Sequence, residues 1–345
     1  MRSLAPVAVA IVALALLQWL LRDAEYAVYL MTRVGVWVIL AVSLNIVNGM
    51  TGQFSIGHAG FMAVGAYSSS LLTIFLDEYR VGFLPAALTD QLFFVLALAV
   101  GGVMAGLFGF LVGLPSLRLK GDYLAIVTLG FGEIIRVVLT NLNVIGAGGK
   151  TVVEGALGMS SIPPYTSFFS VWFGVFVVVL LAKRLAASSH GRWLLAIRED
   201  EVAAEAMGVD TTAYKVRAFV VSSFFAGVAG GLFAHFLRAI NPNSFTFVES
   251  MQVVVMIVAG GLGSTTGAVV AATVLVLLPE GLRTLFLQLG GADQSLAQKV
   301  DQVRMPIYGL LLVVIMLTRP QGIFGSTEAW DWFSRRRAKG GGAKA

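Results

Sequence analysis

The chain contains no cysteine, so disulfide bonds, thiolate nucleophiles and cysteine-ligated metal sites are excluded. Only three histidines are present, and without C-x-x-C pairs they match no familiar zinc spacing. Charged residues are also scarce, since they make up 12% of the chain against about 25% of soluble domains. We therefore predict no metal site and no catalytic residues in this chain.

Long apolar runs dominate what remains. Hydrophobic residues make up 57% of 345 residues, and the mean hydropathy is +0.85. Uninterrupted runs favour membrane-spanning helices over a barrel, whose strands would alternate. We predict an all-α integral membrane protein with about ten transmembrane helices. Nine of the predicted spans lie roughly at 5–21, 26–48, 91–114, 123–140, 168–183, 214–237, 249–262, 265–287 and 304–319. The remaining one, the third in chain order, follows residues 50–60.

The first run, 5–21, has no clear cleavage site, so we interpret it as a retained span rather than a signal peptide. Residues 1–325 form one predicted polytopic transmembrane domain, and 326–345 form a basic tail. Ten spans place both termini on one side. Fifteen lysines and arginines fall on that side and seven on the other, which predicts cytoplasmic termini. The basic surplus is thus a topology signal and not a nucleic-acid surface.

The longest polar segment, 184–215, lies on the predicted cytoplasmic side. At 100° per residue, one side of a helix here carries Val202, Ala203, Ala206 and Met207, and the other carries Glu201, Ala204 and Glu205. Gly208 fits the helix end, and Asp210 or Thr211 fits the cap of the next helix. Such a short amphipathic helix suits docking into a groove on another protein. A solvated interfacial helix is the alternative.

Residues 50–67 combine glycine with polar side chains in an apolar region. Unwound backbone at membrane depth is tolerated where protein or a water-filled cavity covers it. We predict a re-entrant or broken helix near 50–60 that lines a pathway, with ordinary small-residue helix packing as the alternative. The predicted lining residues are Asn45, Gln53, Ser55 and His58, with a flexible gate in the 260–267 turn at Gly260, Gly261 and Gly263.

Other motifs are weaker. Glu133 and Arg136 lie three residues apart in a predicted span, and we expect a self-paired structural ion pair. The run Gly148-Gly-Lys-Thr151 resembles a phosphate loop, but the first glycine of that pattern would be residue 144, which is Val144. No other nucleotide motif is present in the sequence. A transport subunit driven by a separate ATPase fits these features.

The sequence resembles the permease subunits of ABC importers for branched-chain amino acids, specifically the LivM type. The matching stretches extend in the family's order from about 40 to 325. They are Ser43-Leu-Asn-Ile-Val-Asn-Gly49, Thr51-Gly-Gln-Phe-Ser-Ile-Gly-His-Ala-Gly-Phe61, residues 116–136, Ala196-Ile-Arg-Glu-Asp-Glu-Val-Ala-Ala-Glu-Ala-Met-Gly208, Gly260-Gly-Leu-Gly-Ser264 and Arg319-Pro-Gln-Gly322.

The resemblance implies a second homologous permease, two ABC ATPase subunits, a periplasmic substrate-binding protein and a bacterial inner-membrane location. It implies no cofactor in this chain, with ATP and Mg²⁺ in the ATPase subunits. It assigns ATPase coupling to one segment, whose residues are Arg198, Glu199, Asp200, Glu201, Ala203, Ala204, Glu205, Met207 and Gly208. The family's loop pattern E-A-A-x-x-x-G departs here, because Val202 stands where glutamate is expected. ATP binding would close the ATPases, and the helix would carry that motion into the spans.

Three alternatives remain at this stage. A urea or short-amide importer uses the same permease type, and much of the substrate selection lies in the binding protein. A stand-alone channel or secondary carrier would be favoured by unpaired carboxylates within the membrane. An intramembrane enzyme would require a serine with histidine or two aspartates at membrane depth, and His58 and His235 have no such companions in the sequence.

Overall fold

The computed structural model describes residues 24–78, 86–117, 122–146 and 151–290, with single positions at 306, 309, 310, 313, 314, 317, 318, 322 and 325. Its helices are α1 (Glu25–Asn48), α2 (His58–Glu78), α3 (Ala86–Ser116), α4 (Asp122–Thr140), α5 (Phe168–Ala187), α6 (Ser189–Glu199), α7 (Glu201–Ala206), α8 (Thr211–Leu237), α9 (Phe247–Gly260) and α10 (Thr265–Gly290). Two 3-10 turns cover Gly155–Leu157 and Pro242–Phe245.

Seven stretches of the described chain are helical, long and apolar enough to cross a membrane. They correspond to α1, α2, α3, α4, α5, α8 and the Pro242–Gly260 region that contains α9. The apolar part of α10, Thr265–Gly281, is shorter. The predicted span at 5–21 and the tail at 326–345 lie outside the described residues. In the predicted span at 304–319 only single positions are described, and these are helical.

Helix α8 lies at the centre of the bundle, where it packs against α1, α2 and α3. Glycines allow this close packing. A Cβ atom on Gly65 of α2 would collide with the backbone of Gly227, and one on Gly230 would collide with the backbone of Met62. Dispersion between closely packed backbones stabilises helix pairs in a membrane, because lipid removes much of the hydrophobic driving force. The glycines of α2 and α8 therefore serve largely to let these two helices pack closely.

One end of the bundle carries a small hairpin, in the stretch between the predicted spans at 123–140 and 168–183. Strands β1 (Asn143–Ile145) and β2 (Thr151–Glu154) pair antiparallel, and Met159 forms a bridge with Ile240. The prediction of an all-α membrane protein holds for the bundle and did not include this hairpin. Strands of three and four residues are too short to show a clear alternation in sequence.

The opposite end carries the short helices α6 and α7. Ser188 caps α6 by accepting from the Gly191 N–H. Asp200 adopts an extended conformation and caps α7 by accepting from the Val202 and Ala203 N–H groups. Asp210 caps α8, as expected from the sequence. The polar segment therefore folds as two helices with a sharp break at Asp200, and the predicted amphipathic helix begins at Glu201.

Candidate functional site

The helical interruption predicted near 50–60 is present between α1 and α2. Residues 52–57 lie in neither helix nor strand. The Ser43 hydroxyl lies 2.9 Å from His58 Nε2. Ser43 precedes the end of α1 by five residues, a rise of about 7 Å. The chain therefore doubles back before α2 begins, and α2 starts inside the bundle rather than at its end.

Polar contacts hold the interruption in place. The Asn48 side chain bonds both backbone groups of Ser55, donating to its carbonyl at 3.3 Å and accepting from its N–H at 3.2 Å. The Ile56 N–H donates to Thr128 Oγ1 at 3.1 Å, and the Ala59 N–H donates to Ser250 Oγ at 2.9 Å. Unwound backbone is thus satisfied by side chains from α1, α4 and α9, as a membrane interior requires.

The predicted gate turn meets the end of α1. The Gly263 N–H donates to Asn45 Oδ1 at 2.9 Å, so two predicted pathway residues are in direct contact. Gly261 and Gly263 both have positive φ, at 110° and 89°, a region that strongly favours glycine. Gly260 packs directly on the backbone of Gly267.

Most of the predicted lining residues are closed off in this conformation. Asn45, Ser55 and His58 are buried, and Gln53 is partly exposed. The structure thus brings Asn45 together with the gate turn, while Ser55 contacts Asn48 and His58 contacts Ser43 deeper in the bundle. Their predicted pathway role stays a prediction.

Arg198 joins this region to the polar segment. Its Nη1 donates to the Gly49 carbonyl at 3.0 Å, while Nε and Nη2 donate to Glu199 Oε1 at 3.2 and 2.7 Å. A Cβ atom on Gly52 would meet the Arg198 side chain, so the interruption approaches the arginine closely. The last turn of α6 is therefore hydrogen-bonded directly to the residue that follows α1.

Helix α7 is held by an ion pair and a hydrogen bond on one side and is exposed on the other. Lys215 Nζ lies 2.6 Å from Glu201 Oε1, with side-chain exposures of 2% and 23%. Thr211 donates to Glu205 at 2.8 Å. Ala204 packs with Ile197 and Val209.

The opposite side of α7 is exposed, with Val202 at 69% and Met207 at 76%. Ala203 and Ala206 are also exposed. This split follows the two faces derived from the sequence. The side chain of Ala204 is buried against the chain itself, and its predicted place in the coupling segment stays a prediction.

Gly208 ends α7 in the predicted manner. Its φ is +81°, and the Gly208 and Val209 N–H groups donate to the carbonyls of Glu205 and Ala204. This is the hydrogen-bond pattern of a Schellman motif with glycine in the left-handed position. The motif turns the chain sharply from α7 into the Asp210 cap of α8.

The two charged residues of α4 are paired. Arg136 Nε donates to Glu133 Oε2 at 2.7 Å, and Arg136 Nη1 donates to Asn243 Oδ1 at 3.3 Å. Among the described residues, no group of three or more histidine, aspartate or glutamate side chains comes close enough to hold a metal ion.

Sequence reasoning missed the partners that fix these residues. Ser43, Asn48 and Ser250 were visible as polar residues inside apolar runs, and that signal alone marks them for a partner within the bundle. Lys215 was counted only as a topology charge. A lysine one turn into a span, after a run of carboxylates, could have indicated the buried pair.

The chain is similar to known proteins over most of its length. A family model described as "Branched-chain amino acid transport system / permease component" matches residues 26–317. A high-affinity branched-chain amino acid transport system permease protein, LivM, from Salmonella typhimurium is 34% identical over 93% of this chain and 75% of its own length. The LivM protein of Escherichia coli is 34% identical over 88% of this chain and 71% of its own.

A second type of permease is also similar. The high-affinity branched-chain amino acid transport system permease protein LivH of Escherichia coli is 24% identical over 85% of this chain and 92% of its own length. No solved structure matches the chain.

Proposed function

Because the chain belongs to the family of permease components of branched-chain amino acid transport systems, we propose that it is a transmembrane subunit of an ATP-driven importer for leucine, isoleucine and valine. It builds the translocation pathway with a second permease and is itself non-catalytic. The LivH-type relatives support a homologous second permease, since they match most of this same chain. Two ABC ATPase subunits and a periplasmic binding protein complete the assembly.

One observation supports specific residues for the contact with the ATPase. The bare face of α7 and the interruption after α1 are joined through Arg198, which donates to the Gly49 carbonyl. We place the ATPase subunit on the face formed by Val202, Ala203, Ala206 and Met207, which we term the docking face. The residue that ends α6 beside it, Glu199, accepts from Arg198. Motion of α6 and α7 therefore reaches the interruption without an intervening flexible loop.

The proposed orientation follows from the same contacts. Residues 49–52, 189–210 and 261–264 lie at one end of the bundle, linked by the Arg198 and Gly263 hydrogen bonds. The β1–β2 hairpin and residues 238–246 lie at the other end. The excess of basic residues assigns the first end to the cytoplasm of a bacterial inner membrane, with both termini there. Ten spans in total remain part of this proposal.

The first experiment measures ATP hydrolysis by the complex co-purified with this chain in lipid. Binding protein is added empty, loaded with leucine or loaded with urea. We expect the leucine-loaded form to stimulate hydrolysis and the urea-loaded form to have no effect. If only the urea-loaded binding protein stimulates hydrolysis, the substrate is a short amide rather than leucine. If no ATPase co-purifies and the chain alone lets solute move down its gradient, the protein is a channel or carrier rather than an importer.

The docking face is tested by placing a charge on it. Val202 and Met207 make little contact with the chain itself, since 69% and 76% of their surface is exposed. Val202→Asp and Met207→Asp should leave the fold intact and reduce the amount of ATPase that co-purifies. Burying a valine or methionine side chain contributes about 1.5–3 kcal/mol, so each variant should weaken association by about tenfold or more.

The matched control is Leu157→Asp, at an apolar residue that is equally exposed, at 79%, on the opposite end of the bundle. It should retain the full complement of ATPase. Equal ATPase recovery from all three variants would remove the docking face from the proposal.

A further inference from the structure

A charged pair lies at membrane depth on a face of α4 that nothing in the described chain covers fully. Glu133 and Arg136 stand within the candidate span Tyr123–Thr140. Glu133 is eleven residues from the start of α4, a rise of about 16 Å in a hydrocarbon core of about 30 Å. Their side chains remain 34% and 27% exposed. The bond from Arg136 to Asn243 places the pair in the half of the span nearer residues 238–246. Charged side chains inside a span are costly against lipid, so this face is turned to protein or to water.

Each member of the pair has one polar atom that makes no hydrogen bond within the described residues. Arg136 uses Nε for Glu133 and Nη1 for Asn243, and Glu133 uses Oε2. Within the described residues, neither Arg136 Nη2 nor Glu133 Oε1 has a hydrogen-bond partner. One donor of the guanidinium and one acceptor of the carboxylate are therefore available to a ligand.

The pair borders the region already assigned to the pathway. It adjoins a narrow cleft whose walls come from the interruption, the first turn of α2, α4 and the start of α9. The cleft is lined by Ile56, Gly57, Gly60, Gly132, Glu133 and Phe247. A Cβ atom on Gly60 would press against Gly132, and one on Gly57 would collide with the Thr128 backbone. The walls thus meet backbone to backbone, and the cleft is closed in this conformation.

The surface beside the pair is apolar. Val137 on α4 and Phe247 and Val248 at the start of α9 are all substantially exposed. The arrangement therefore offers an acceptor for a cation, a donor for an anion and an aliphatic surface within one region. A branched-chain α-amino acid carries an ammonium and a carboxylate on one carbon, next to an aliphatic side chain. Charge-assisted hydrogen bonds of this type are the strong ones in proteins.

We propose that Glu133 and Arg136 form a transit site for the zwitterionic head of the amino acid, with Glu133 binding the ammonium and Arg136 binding the carboxylate. The inference rests on the proposed function and names residues that select its substrate. In the closed conformation the two side chains neutralise each other. When the cleft opens, the substrate's charges bind the free Oε1 and Nη2 positions, and Asn243 holds the guanidinium in place.

The first test uses leucine uptake into proteoliposomes that contain the complete complex and loaded binding protein. Glu133→Gln and Arg136→Gln keep the side-chain shapes and remove one charge each. Loss of a hydrogen bond to a charged group lowers affinity by about tenfold or more, so uptake at limiting substrate should fall by about that factor. Recovery of the complex and of ATPase subunits should be unchanged. The control, Arg283→Gln, disrupts another Glu–Arg pair at the same i,i+3 spacing on α10 and should transport normally.

A charge swap separates this role from a structural one. Glu133→Arg combined with Arg136→Glu restores an ion pair but reverses its polarity and removes the donor to Asn243. If the pair only stabilises α4, the swap recovers uptake, and the inference is overturned. If it receives the substrate, the swap stays defective. Wild-type chain that fails to import leucine would refute the proposed function itself, whereas normal import by the wild type and both neutral variants would refute only this inference.

The absence of cysteine provides a second readout that does not depend on transport. Val137→Cys introduces a single thiol one turn after Glu133 on the same side of α4, and the unaltered chain serves as the unlabelled background. A membrane-impermeant thiol reagent should label it from the outer side, and excess leucine-loaded binding protein should reduce that labelling. Failure of the reagent to reach this position in both conditions would place the face against lipid or a tight subunit contact, and the transit site would be abandoned.

Discussion

The ion pair that anchors α7 should respond asymmetrically to loss of one partner. Lys215 is 2% exposed and Glu201 is 23% exposed. Glu201→Gln leaves a buried ammonium without a counter-charge, and breaking a buried pair costs about 3–5 kcal/mol. We expect the lower end, because glutamine still accepts one hydrogen bond. Lys215→Met leaves a carboxylate that water reaches, so its cost should fall nearer the value of about 1–3 kcal/mol for one unsatisfied group.

Backbone hydrogen exchange of the 201–209 segment measures this difference. A six-residue helix opens locally long before the bundle unfolds, and exchange reports that local opening. The two costs, about 3 kcal/mol and about 1–3 kcal/mol, allow a difference of up to about 2 kcal/mol. A difference of about 1.4 kcal/mol makes α7 open about tenfold more often in Glu201→Gln than in Lys215→Met. Glu199→Gln, at a carboxylate that is 73% exposed, should leave exchange in α7 unchanged. Equal opening in the two pair variants, or greater opening in Lys215→Met, would show that burial of Lys215 does not control the anchor.

Further predictions concern single residues. Gly65→Ala should destabilise the purified complex to heat by about 1–3 kcal/mol or more, because the new Cβ atom would collide with Gly227, whereas Gly130→Ala has open space and should be neutral. Gly208→Ala should cost about 1–2 kcal/mol at a φ of +81°, measured as faster exchange in α7. His58→Ala removes the partner of buried Ser43 and should reduce leucine uptake, and normal uptake would remove His58 from the pathway residues.

The positions of the spans could be predicted because they depend on composition over many residues. The runs at 26–48 and 123–140 agree with α1 and α4 to within one residue at each end, since loss of hydrophobicity and helix ends coincide there. The start of α3 was placed five residues late, at 91 instead of Ala86, because its first turn mixes polar and apolar residues. The break at Asp200 was missed because it depends on one extended residue that caps α7.

The candidate site was predictable as residue types but not as contacts. Glycine and polar content indicated the interruption near 50–60, and helical periodicity separated the two faces of α7. Neither signal says which groups meet across the fold. The bonds from Asn45 to Gly263 and from Arg198 to Gly49 join residues separated by 218 and 149 positions, and periodicity carries no information at that distance.

Arg198 joins the two predicted regions through its hydrogen bond to the Gly49 carbonyl. Residues 49–57 have few helical hydrogen bonds of their own and depend on side chains from α1, α4, α6 and α9. A segment held by such discrete contacts switches between arrangements more readily than it deforms, because packed interiors resist gradual change. Three nitrogens of Arg198 bind Gly49 and Glu199 at once, so we expect α6 to move together with the start of the interruption. In the proposed transporter, movement of the docking face would therefore alter the contacts of Asn45, Asn48 and the 261–264 turn first, at the end of the bundle that we propose faces the cytoplasm.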